Sequence, residues 1–345
     1  MEERRAPAGV DLDALAAWFI TLARPGFTPP FEASMLEGGR SNITMRLTDA
    51  DGRDFVLRRP PLHGVLPTAH DMGREHRIIA ALGSTDVPVP DALVYCADPT
   101  VIGAPFYVMS FVPGVVLHDA TTAIVELDVA ARRHSAESLI DALVALHAVD
   151  PDDVGLGDLA RRDGLVERQL KRWHTQFEAS RMRDLPALDR VHQILASSIP
   201  EQHESRIVHG DFRLGNCIVD TRGSVQAVLD WELCTLGEPL ADLGYVLASW
   251  SEPGDEIILT DDSLTAAPGF PPRHEVLARY AERSGRDVSN IDYFVTFSLW
   301  KLACIVEGVR VRALQGARGT TEAGDMYERQ VDNCAQLAEQ RAMRL

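Results

Sequence analysis

The stretch that decides the fold is His209-Gly210-Asp211-Phe212-Arg213-Leu214-Gly215-Asn216, followed downstream by Val228-Leu229-Asp230-Trp231-Glu232. An acid stands two residues after a histidine, an asparagine five residues after that acid, and a second acid ends a short hydrophobic run. Phosphoryl transfer needs such a set: a carboxylate to aim the attacking hydroxyl, and an amide with another carboxylate to hold Mg²⁺ on the phosphates. Arg206-Ile207-Val208 and Cys217-Ile218-Val219 read as short strands flanking a loop, and Val225 to Leu229 as a strand ending at Asp230. Singly, Asp211 and Asn216 are ordinary turn formers and Asp230 an ordinary strand terminator. In this order and spacing they read as a catalytic loop. Asp211 is then the expected base, and Asn216 and Asp230 the expected Mg²⁺ ligands, because Mg²⁺ favours hard oxygen donors.

Outward from the loop, the N-terminal third reads as a small sheet lobe. Asp11 to Ala23 has helical spacing at Leu12, Leu15, Ala16, Phe19 and Leu22, with Asp11 placed to cap it. Phe31 to Leu36, Asn42 to Thr48 and Asp54 to Arg58 follow as strands. The last two are joined by Asp49-Ala50-Asp51-Gly52, a strong hairpin signal. A helix from about Asp71 to Leu82 and apolar runs at Ala92 to Cys96 and Phe106 to Phe111 complete a five-stranded antiparallel sheet with one helix.

Pro113-Gly114 breaks the pattern, and beyond it the chain is mainly helical. Helices are expected over Ser135 to Val149, Gly164 to Ala179, Leu188 to Ser197, Leu240 to Trp250, Glu275 to Ser284, Ile291 to Leu314 and Glu322 to Met343. Glu252 to Pro272, rich in Pro, Gly and Asp, reads as a long loop. The expected fold class is α+β, a two-lobed protein-kinase-like fold. Residues 1–112 would be a nucleotide-binding lobe behind a leading helix, and 113–345 a helical lobe carrying the catalytic loop and substrate cleft.

The small lobe supplies further candidates. Phe55-Val56-Leu57-Arg58 occupies the place of the kinase Val-Ala-Ile-Lys strand. Strand alternation puts Val56 and Arg58 on one face, Val56 to cover the adenine and Arg58 to reach the α- and β-phosphates. Arginine there is larger than lysine, forked and always charged. Glu75, on the following helix, is the expected anchor for Arg58.

Glu37-Gly38-Gly39-Arg40-Ser41-Asn42 lies where a phosphate-covering loop belongs, which makes Gly38, Gly39, Ser41 and Asn42 candidate phosphate contacts. No Gly-Lys-Ser/Thr follows, so it is not a Walker A loop. The Ser110 carbonyl and Val112 amide are expected at the adenine edge. Asp242 is expected to hold the catalytic loop by hydrogen bonds, His209 to orient its backbone, and His147, Trp173, Trp250 and Trp300 to pack in the core.

With Pro239-Leu240-Ala241-Asp242-Leu243-Gly244, these motifs resemble the aminoglycoside phosphotransferase and choline kinase superfamily. Arg58-Arg59-Pro60-Pro61, Thr68-Ala69-His70-Asp71, Val87-Pro88-Val89-Pro90 and Ile102 to Met109 look like its branch related to the kinase-like domains fused to acyl-CoA dehydrogenases. The resemblance runs from about residue 30 to 310. It implies transfer of the γ-phosphoryl of ATP or GTP, with Mg²⁺, to a hydroxyl of a small molecule, aminoglycoside-like or a hydroxylated metabolite. Glu232 stands where a protein kinase has the glycine of Asp-Phe-Gly; the chain lacks that hinge glycine, as the superfamily usually does, so no activation-loop flip is implied. The rival reading is a catalytically silent nucleotide-binding scaffold, suggested by the missing lysine and opposed by the intact Asp211, Asn216 and Asp230.

Composition sets outer bounds. Hydrophobic content of 46% with 25% charged residues over 345 residues suits a soluble protein of two lobes. A net charge of −17 argues against nucleic acid as a partner. No apolar run is long enough to span a membrane, and the N-terminus has no secretory core. Five scattered cysteines without a CxxC pair fit reduced thiols in the cytoplasm, not a disulfide framework or zinc site.

Overall fold

Helix α1 (Leu12–Leu22) starts where Asp11 caps it, its Oδ1 accepting from the backbone N–H groups of Asp13 at 3.1 Å and Ala14 at 3.0 Å. The structure, a computed structural model, describes residues 10–22, 25–36, 42–61, 71–256, 264–314 and 321–345. Two units divide the chain: Met1–Pro113 with Asp230–Glu232, and Gly114–Leu229 with Leu233–Leu345.

In the first unit, β1 (Glu32–Met35), β2 (Ile43–Thr48) and β3 (Asp54–Arg59) precede helix α2 (Met72–Leu82), then β4 (Ala92–Cys96) and β5 (Phe106–Ser110). They form one antiparallel sheet in the order β1-β2-β3-β5-β4. The β2–β3 turn closes on Asp49, whose Oδ1 accepts from Asp51 N at 3.0 Å and Arg53 N at 2.9 Å, while Gly52 takes a φ of 78°. Strand alternation then sorts the side chains. Met45, Leu47, Phe55, Leu57, Phe106 and Val108 meet Leu15 and Phe19 of α1 in a buried apolar core. Val56, Arg58 and Tyr107, one residue out of phase, belong to the other face, where Arg58 pairs in register with Tyr107 and meets Glu75 of α2.

The second unit begins with β6 (Val115–Val116), α3 (Ala120–Glu126), α4 (Val129–Ala148), α5 (Leu165–Ser180) and α6 (Pro186–Ser197). Strands β7 (Arg206–Val208), β8 (Cys217–Val219), β9 (Val225–Val228) and β10 (Thr235–Gly237) come next. Helices α7 (Leu240–Ser249), α8 (Arg273–Ser284), α9 (Ile291–Leu314) and α10 (Thr321–Ala342) end the chain. Two small antiparallel sheets, β10-β7 and β6-β8-β9, hold the loop from His209 to Asn216 between them.

Helix α9 is buried along most of its length, and Trp173, Trp250 and Trp300 are core side chains as the helical spacing predicts. Gly244 lets α7 approach it: a Cβ there would lie 2.6 Å from the Phe294 backbone carbon, so any side chain would force the helices apart. Helix α4 starts six residues before the expected Ser135, because Asp128 caps it through Ala131 N at 2.8 Å. Thr265, within a short 3₁₀ turn of the long loop, is tied to the Ser251 backbone by bonds of 2.7 and 2.9 Å. All five cysteines are buried thiols.

Candidate active site

The loop after β7 is shaped by backbone chemistry before any side chain acts. Gly210 has a φ of 87°, and a Cβ there would lie 2.9 Å from the Leu233 carbonyl oxygen, so glycine is required. Asp242, fully buried at the start of α7, holds the turn as its sequence position predicts: Oδ2 accepts from His209 N at 2.6 Å and Oδ1 from Gly210 N at 2.8 Å. His209 donates from Nε2 to the Leu229 carbonyl at 2.9 Å and accepts at Nδ1 from Asp211 N at 3.2 Å, which fixes its tautomer. Both ring nitrogens are thus engaged with the backbone around the loop.

The side-chain amide of Asn216 donates to both the carbonyl and Oδ2 of Asp211, each at 2.8 Å. The two residues are therefore one unit: Asn216 pins one carboxylate oxygen, and Arg213 Nε lies 3.7 Å from the other, Oδ1. In this orientation both amide hydrogens of Asn216 are committed, which leaves its Oδ1 as the acceptor.

Behind this loop lies a layer that sequence reading places only as core. His147, buried at the end of α4, accepts at Nδ1 from the Tyr280 hydroxyl at 2.8 Å and points Nε2 at Asp242 Oδ2, 3.4 Å away. Burial pushes its pKa below the usual histidine value, so it is neutral at pH 7. Burial alone would raise the Asp242 pKa, but the His147 contact and the loop N–H groups outweigh it and hold the carboxyl below the usual range. Both folded-state values are lowered, so the stability they contribute is present above the unfolded values, about 6.5 and 3.9, and is lost as pH falls. The urea midpoint should therefore drop on acidification from about pH 7 to pH 5, a window set by the unfolded histidine. His147→Gln, which cannot titrate, should flatten that drop. An equally steep loss in the variant would place the acid sensitivity elsewhere.

The second cluster lies wholly in the first unit. Arg58 is 8% exposed, with Nη1 3.6 Å from Glu75 Oε2 and Nη2 3.3 Å from Asp230 Oδ1. Burial opposes its charge, but Tyr107, Glu75 and Asp230 outweigh that and raise its pKa above the ordinary arginine value. Glu75, 2% exposed, also accepts from Asn42 Nδ2 at 3.1 Å and the Tyr107 hydroxyl at 3.0 Å. Burial pushes the Glu75 pKa up, and Arg58 is the main force pulling it back. The expected Arg58–Glu75 pair is thus present, while the sequence gives no sign that Tyr107 and Asn42 complete it.

Asp230 is the only non-glycine with positive φ (66°) among the described residues. That conformation costs on the order of 1–3 kcal/mol, a strain that clusters at functional sites. Ser110 ends β5, its hydroxyl accepting from Asp91 N at 2.8 Å, and Val112 follows it half-buried. Val56 is buried on the Arg58 face of β3. Gly38, Gly39 and Ser41 lie outside the described residues, as do Thr68, Ala69 and His70.

A five-stranded sheet with α1 and α2 packed on it, and a His-Gly-Asp loop carried by a mainly helical unit, define a kinase-like phosphotransferase fold. The chain belongs to the phosphotransferase enzyme family, whose model matches residues 32–283. It is 34% identical over 324 residues to mouse acyl-CoA dehydrogenase family member 10, covering 92% of this chain and 30% of that protein. It spans less than half the length of the curated relatives it matches.

Among solved structures, a protein from Ralstonia eutropha, named provisionally as an aminoglycoside phosphotransferase, is 32% identical with a TM-score of 0.83, covering 97% of this chain and 99% of that one. An amicoumacin kinase in complex with AMP-PNP and Ca²⁺ shares the fold at 14% identity and a TM-score of 0.62, with 93% of each chain covered. Among the described residues, no helix is long and apolar enough to cross a membrane.

Proposed function

We propose that this chain transfers the γ-phosphoryl group of ATP or GTP to a hydroxyl of a small molecule, with Asp211 as base. The observation that carries the reading is the Asp211–Asn216 unit: one amide nitrogen donates at 2.8 Å both to the Asp211 backbone carbonyl and to its carboxylate Oδ2, while Arg213 Nε lies 3.7 Å from the other carboxylate oxygen, Oδ1. A base must present an oriented oxygen to the acceptor proton, and this arrangement supplies one. Arg58, anchored by Glu75, serves as phosphate ligand. Val56 with the backbone of Ser110 and Val112 binds the adenine. The acceptor is a hydroxylated metabolite or an aminoglycoside-like molecule, and the setting is the cytoplasm.

Mg²⁺ fits the donors present. Among the described residues no group of three or more His, Cys, Asp or Glu could hold a metal alone. Mg²⁺ commonly takes one or two protein oxygens and completes its shell with phosphates and water. Asn216, through Oδ1, and Asp230, through its carboxylate, would hold it. Bound there, the ion supplies charge neutralisation on the phosphate oxygens.

Mg²⁺–ATP at a hundredfold excess over its Kd should stabilise the protein by about 2.7 kcal/mol. Asp230→Asn, which tolerates the same backbone conformation, should lose that stabilisation. An unchanged Mg²⁺-dependent thermal shift in the variant would remove Asp230 from the metal site. ADP release across a library of hydroxylated metabolites tests the activity itself. If nucleotide binds and no library member or water accepts the phosphoryl group, the chain is a silent nucleotide-binding protein.

A further inference from the structure

Lys301 is one of only two lysines among 34 basic Lys and Arg residues, and it sits 9% exposed within the apolar face of α9. Its Nζ donates to the Gly210 carbonyl at 3.1 Å and lies 5.6 Å from the centre of the Tyr245 ring. That carbonyl belongs to the peptide joining Gly210 to Asp211, whose N–H donates to His209 Nδ1 at 3.2 Å. One peptide plane is therefore held at its oxygen by Lys301 and at its nitrogen by His209, and the Asp211 carboxylate hangs from it.

We propose that Lys301 is a positioning residue for Asp211, fixing the Gly210–Asp211 peptide through a charged hydrogen bond. The inference deepens the assignment of Asp211 as base and rests on it. A charge-assisted bond to a carbonyl is roughly twice as strong as a neutral one, and a buried ammonium needs such a partner. The groups facing it account for its charge. Asp211 of the loop and Asp242 of α7 favour the ammonium, Arg172 of α5 opposes it, and the Tyr245 ring offers its π face. Burial is the largest influence and lowers the Lys301 pKa from the ordinary lysine value. Arginine would not substitute freely, because its planar fork cannot fill the position of a compact ammonium.

The scarcity of lysine permits a direct test on the full chain. With ¹³Cε-lysine label only two side-chain signals exist, and exposed Lys171 is the internal reference; Lys171→Arg assigns it. Lys301 should titrate below Lys171, and Asp211→Asn should move the Lys301 midpoint further down while leaving Lys171 unchanged. Titration of Lys301 together with Lys171, or indifference to Asp211→Asn, overturns the proposal without any activity measurement.

Lys301→Met should cut ADP formation from Mg²⁺–ATP by about 10–100-fold, the scale of a misplaced catalytic group, with ATP affinity within a few-fold of wild type. Wild type should show an alkaline fall in kcat as Lys301 deprotonates, Lys301→Met should abolish it, and Lys301→Arg should restore only part of the rate. If Lys301→Met keeps kcat while Asp211→Asn loses it, the Lys301 inference falls alone. If both keep kcat, the base assignment falls as well. Should Lys301→Met fail to fold, the titration of wild type and Asp211→Asn still decides.

Discussion

Asp211→Asn should bind ATP within a few-fold of wild type and lose about two to four decades of turnover, roughly 3–5 kcal/mol of barrier. The local geometry makes this substitution a clean one. The new side chain can keep its carbonyl oxygen towards Asn216 Nδ2, preserving the 2.8 Å bond that carries the loop conformation. Its NH₂ group then takes the place of Oδ1, which lies 3.7 Å from Arg213 Nε in the native loop. What disappears is the negative charge and the capacity to take the acceptor proton. Structure is retained because Gly210 and His209 are held by Asp242, not by Asp211. Calorimetric ATP affinity should therefore stay near native while single-turnover phosphoryl transfer collapses. Near-native kcat in the variant would sink the assignment of Asp211 as base.

How far the sequence reaches depends on whether a signal is local. The β2–β3 hairpin is legible because Asp49 to Gly52 writes the turn into four consecutive residues. The catalytic loop is legible because its members lie five residues apart and its strands flank it directly. Helix α3 and strands β6 and β10 go unread, since two to seven residues carry no periodicity and pairing such as Val115 with Val219 is set by distant chain.

The same rule governs the site. Arg58 and Glu75 can be matched because a strand followed by a helix is a familiar unit. Tyr107 of β5 and Asn42 just before β2, which complete the Glu75 shell, are single polar residues that declare themselves only through packing. Lys301 is separated from Gly210 by 91 residues, so nothing nearby in sequence marks it. The strained backbone of Asp230 is equally invisible in the letters Leu-Asp-Trp-Glu.

Arg58→Met should destabilise the fold by about 3–5 kcal/mol at neutral pH, the cost of leaving one member of a buried ion pair uncompensated. Glu75 is the member left behind: 2% exposed, with the Tyr107 hydroxyl and the Asn42 amide as its remaining side-chain donors among the described residues. Two neutral donors do not replace a guanidinium, so the carboxylate must keep an unbalanced charge or take up a proton. Because burial already raises the Glu75 pKa and Arg58 is what pulls it back, its removal should raise that pKa further. A carboxyl raised in the folded state contributes its stability below the unfolded value, about 4.3, and loses it as pH rises through the folded value. The penalty of Arg58→Met should accordingly be small near pH 4–5 and grow towards neutrality. Arg58→Met with Glu75→Gln, which removes both charges, should recover most of the loss at pH 7, since replacing a whole buried pair is often close to neutral. Urea unfolding of the single and double variants at two pH values separates the possibilities. A penalty that is independent of pH, or undiminished in the double variant, would mean that Arg58 is held for its packing against β3 and α2 and not to balance Glu75.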